Sequence, residues 1–72
     1  MSAPLVHEFR QLVAICQSYA VSERQIADTP EAAAVPILVQ RQRTSAAHFE
    51  ALARHFADLA DLLEVSHDTR LA

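Results

Sequence analysis

Two seven-residue rhythms, one in each half of the chain and separated by a proline-marked break, constrain what this sequence can fold into. In the second half, HFEALARHFADLAD (His48 to Asp61) contains two consecutive blocks that begin His-Phe and carry Leu at the fifth place and Ala at the sixth. Phe49, Leu52, Phe56, Leu59 and Leu63 alternate steps of three and four. This is the a/d spacing of a heptad abcdefg, which lines large apolar side chains along one stripe of an α-helix. In the first half, Phe9, Cys16 and Glu23 hold a while Leu5, Leu12, Tyr19 and Ile26 hold d. An e row widens each stripe: Val6, Val13, Ala20 and Ala27 in the first, Ala46, Ala53 and Ala60 in the second. A face three positions wide suits a helix in a bundle.

The boundaries follow from the prolines. Pro4 fits a first helical turn, where its missing N–H has no partner to lose, so the first long helix is expected over about 4–28. Thr29-Pro30-Glu31 has the form of a helix start: a capping hydroxyl, a first-turn proline and an acid near the positive end of the dipole. Pro36 would break a helix interior. A short helical turn over about 30–35 and a second long helix over about 36–65, running through the polar QRQRTS stretch, reconcile these signals. If the long helices pack antiparallel, a faces d, and the paired residue numbers share one sum. Leu5 with Leu63, Phe9 with Leu59, Leu12 with Phe56, Cys16 with Leu52 and Tyr19 with Phe49 all sum to 68, folding the chain back at residue 34.

The expected fold is therefore all-α: one helical-hairpin domain over residues 1–72, an antiparallel pair of long helices. The complete absence of glycine and the many alanines agree. At 72 residues a lone hairpin leaves the flanks of its stripes wet, in a size range where a single core is marginal. The one cysteine, Cys16, cannot close an internal disulfide. A homodimer forming a four-helix bundle is the expected remedy, and a different helical partner would satisfy the same physics. Ile15, Val21, Leu62 and the alanines at 46, 53 and 60 are the expected contact surface, with His48 and His55 at its border.

Other chemistries find little support. The net charge of −3 disfavours non-specific nucleic-acid binding, although Arg24, Arg41 and Arg43 supply an alternative reading as a nucleic-acid-linked regulator. A glycine-rich phosphate loop is excluded. Glu64 and His67 have the Glu-x-x-His spacing of di-metal helical bundles, but no second copy of the motif faces them, so no metal or cofactor is expected. His48 and His55 lie two helical turns apart, about 10.5 Å, too far for one ion. They read as boundary side chains that would make a dimer interface acid-sensitive if they met across it. Cys16 reads as a small buried hydrophobe and Tyr19 as an inward ring with a wet hydroxyl. The Ser66-His67-Asp68 run names a hydrolase triad, yet adjacent residues cannot converge as one. With no basic n-region and no apolar run long enough for a membrane span, the expectation is a non-enzymatic, cytoplasmic protein–protein interaction module acting as an adaptor, chaperone or inhibitor.

Overall fold

A computed structural model describes the backbone of residues 3–71 and the side chains of residues 4–66. The described residues form α1 (Ala3–Ala27), α2 (Pro30–Ala33) and α3 (Pro36–Leu71). Helix α1 lies along α3 for most of its length, giving a rod of 58 × 14 × 11 Å. The helix starts fall at or next to the prolines. Helix α3 passes through Thr44 and Ser45 without interruption and extends past the expected end at residue 65.

The turn is built as its sequence implies. Thr29 adopts an extended backbone, and its Oγ1 accepts a hydrogen bond from the Ala32 N–H (3.2 Å) while donating to the Ile26 carbonyl (2.7 Å). One hydroxyl thus caps the start of α2 and ties it to the end of α1. Ala32 tucks underneath, 2% exposed, and the Val35 N–H donates back to the Ala32 carbonyl before Pro36 opens α3. The chain folds back between Ala27 and Pro36, the stretch that contains residue 34, where the shared sum placed the reversal.

The register also holds. Tyr19 stacks on Phe49, its expected partner, with ring centroids 5.2 Å apart, whereas Phe9 stacks on Phe56 at 5.8 Å, one step along the stripe from the Leu59 that the shared sum paired with it. What differs is the rotation of the helices about their own axes. The buried residues are Cys16, Ala20, Ala27, Ala32, Ala46, Ala53 and Ala60, so the contact between α1 and α3 is centred on the a and e rows. The expected a/d seam is only partly inside: Leu5 is 47% exposed, Leu12 36%, Tyr19 54% and Ile26 44%. Small side chains explain the shift. Alanine rows let two backbones approach closely and gain dispersion contacts along their whole length, whereas Leu and Tyr at d would hold the helices apart. No large side chain is completely enclosed among the described residues; Phe9, Phe49, Phe56, Leu52, Leu59 and Leu63 are half-buried.

Candidate interaction surface

Helical geometry turns this rotation into a two-sided molecule. At about 100° per residue, e lies about 40° to one side of a, with b and f beyond it, and d lies about 60° to the other side, with g beyond. A contact centred between a and e therefore leaves b and f on one flank of the hairpin and d and g on the other.

The b/f flank is closed by charge. The Arg24 guanidinium grips Glu50 through two hydrogen bonds, Nη2 to Oε1 at 2.6 Å and Nε to Oε2 at 3.1 Å. Arg10 donates to Asp61 at 2.7 Å and to Glu64 at 3.0 Å, and Arg43 stands 3.9 Å from Asp28. Each of these pairs joins α1 or its C-terminal turn to α3. The hydrogen bonds from Arg24 hold the Glu50 carboxyl below its ordinary pKa, and the carboxylates push the Arg10 and Arg24 guanidinium groups further upward. Arg54 lies four residues beyond Glu50 on α3, a spacing suited to an ion pair, yet the structure gives that place to Arg24 on the other helix. A shallow depression on this flank is lined by Val13, Gln17, Ala20, Val21, Glu50, Ala53, Arg54 and Ala57.

The d/g flank is apolar and open. Leu12, Tyr19 and Ile26 run along α1 with Ile15 (50% exposed) beside them, and Leu38 (37%) and Leu62 (65%) lie on α3. His48 and His55 occupy the g row of α3, each exposed and tilted against its neighbouring phenylalanine ring, Phe49 at 6.2 Å and Phe56 at 5.9 Å. Within the d and g rows of the described side chains, the formal charges are Glu8 on α1 and Arg41 on α3.

The expected contact residues therefore divide three ways. Ile15, Leu62, His48 and His55 share the open flank. Val21 sits on the opposite, ion-paired flank. Ala46, Ala53 and Ala60, read from sequence as a row for a second copy, are 0%, 5% and 0% exposed inside the hairpin itself, because the intramolecular contact uses the e rows. Sequence reasoning missed the cross-helix ion pairs. The signal was present: Arg10, Arg24, Glu50 and Glu64 all carry the letter b, and b rows fall on the same flank of an antiparallel pair.

The alternative sites are dispersed. Arg24 is bound to Glu50, Arg43 faces Asp28, and Arg41 lies on the other flank beside Ser45 and His48. Glu64 is bound to Arg10, the side chain of His67 lies outside the described residues, and no group of three or more His, Cys, Asp or Glu among the described residues is placed to hold a metal ion. No described helix is long and apolar enough to cross a membrane. No protein-family model, curated protein or solved structure matches the chain.

Proposed function

We propose that this protein is a non-enzymatic protein–protein interaction module that works by helix packing, and that two copies pair through their d/g flanks into a four-helix bundle. The observation that carries this reading is the mismatch between the stripe and the contact. In a four-helix bundle each helix has two neighbours at roughly right angles, and its core stripe points along the diagonal between them. The contact within the hairpin is centred between a and e; a second neighbour at a right angle would lie near d; the diagonal falls between a and d. The heptad stripe therefore aims at the axis of a bundle of which the hairpin is half.

Area supports the same reading. The chain exposes 5287 Å², against about 4,450 Å² for a compact protein of its 8.0 kDa mass, an excess of roughly 800 Å². A standard interface removes about 800 Å² from each partner. A different helical hairpin with the same pattern could take the place of the second copy, which is how such a module would serve as an adaptor, chaperone or inhibitor.

Sedimentation equilibrium of the whole chain beside two variants tests the proposal. The parent should sediment at twice its 8.0 kDa at micromolar concentration. Tyr19→Glu, on the open flank, should sediment as a helical monomer, and Val21→Glu, on the ion-paired flank, should remain a dimer. A parent that stays monomeric up to millimolar concentration, or a dimer lost in Val21→Glu and kept in Tyr19→Glu, would overturn it.

A further inference from the structure

We infer that self-association of this chain is gated by pH, with the paired form requiring neutral imidazoles at His48 and His55. The inference rests on the pairing proposed above and concerns the regulation of that same flank. Both histidines lie in the g row of α3, which in a four-helix bundle faces the neighbouring helix of the other copy, whichever of its two helices that is. In the separate hairpin both are exposed, so water solvates either protonation state.

Pairing changes the balance between the two states. The charged groups of the d and g rows are one carboxylate, Glu8, and one guanidinium, Arg41, so this flank is close to neutral when the histidines are uncharged. Glu23, half-buried in the a row of α1, is a second carboxylate on the stripe that pairing would enclose; Asp58 lies in the outer c row, and the Tyr19 hydroxyl is the remaining titratable group on the flank. Protonating both histidines adds two positive charges per chain and four per dimer, confined between two apolar faces with too few carboxylates to match them. Desolvation and like-charge repulsion both oppose that state. The tilted contacts with Phe49 and Phe56 lie within each chain and are present before and after pairing, so they do not offset this cost. The sign follows: association is favoured while the imidazoles are neutral and weakens as acid protonates them.

The dimer dissociation constant, measured by sedimentation at pH 8 and pH 5.5 in one salt concentration, provides the test, with circular dichroism at each pH to follow the hairpin. The parent should bind itself about tenfold or more weakly at pH 5.5. The double variant His48→Gln/His55→Gln should dimerise at pH 8 and keep a flat profile, whereas His7→Gln, on the ion-paired flank, should retain the parent's profile. A dimer with equal constants at both pH values, or a double variant that keeps the parent's pH dependence, overturns the gate and leaves the pairing intact. A parent monomeric at both pH values overturns the pairing, and the gate with it.

Discussion

Two kinds of residue hold this hairpin together, and they respond oppositely to a change of size. Ala46, Ala53 and Ala60 are enclosed because they are small. Replacing Ala53 with Leu forces a larger side chain into the closest part of the α1–α3 contact, and urea unfolding should show a loss of about 1–3 kcal/mol. Were the alanine row a surface for a partner, the same change would alter association and leave monomer stability alone. Phe56 makes the complementary case. It is half-buried in the hairpin and stacked on Phe9, so its truncation removes only part of a core residue's contribution from a lone chain. If two copies pair as proposed, the full cost of about 3–5 kcal/mol for Phe56→Ala is expected only at concentrations where the pair forms and covers the ring. Unfolding curves recorded at two protein concentrations separate these cases, and a small loss at both would show that nothing covers Phe56.

Periodicity made the elements legible, but it did not reveal their rotation. Pro4, Thr29-Pro30 and Pro36 mark the helix starts because proline and a capping hydroxyl act within one turn, and the Tyr19–Phe49 stack confirms a register derived from spacing alone. An a/d/e stripe, by contrast, is wide enough to serve two neighbours, and spacing does not say which edge meets which neighbour. Side-chain size does: the alanines at e mark the close contact and Leu, Tyr and Ile at d mark the open one. The Arg24–Glu50 pair lay beyond local rules for a related reason, since i,i+4 spacing sees only one helix. This pair gives the hairpin a pH dependence of definite sign. With the Glu50 carboxyl held below its ordinary value, its contribution to stability is complete above about pH 4.3 and is lost as pH falls through the depressed value. Thermal unfolding of Glu50→Gln should therefore show a shallower acid limb than the parent, with the two curves parallel between pH 5 and 7; an unchanged acid limb would assign that loss to other carboxylates.

At the scale of the whole molecule, elongation is the property that needs explaining. The radius of gyration is 16.6 Å, against about 11 Å for a compact chain of this length, and the described interior consists of six alanines and one cysteine. Among the described residues every large apolar side chain keeps part of its surface in water, concentrated on the flank opposite the cross-helix ion pairs. A second hairpin laid on that flank, as proposed, would convert the half-covered a/d stripe into a bundle core. The chain carries its own reporter for that event. Tyr19 is its single tyrosine, there is no tryptophan, and the ring is 54% exposed at the middle of the open flank. Acrylamide quenching of Tyr19 fluorescence across a dilution series therefore tests the central claim directly. Quenching should be weak at high protein concentration and rise to that of an exposed tyrosine on dilution, at the concentration where the sedimenting mass halves. Strong quenching at every concentration, or protection of Tyr19 with no change in mass, would contradict the pairing of two hairpins through this flank.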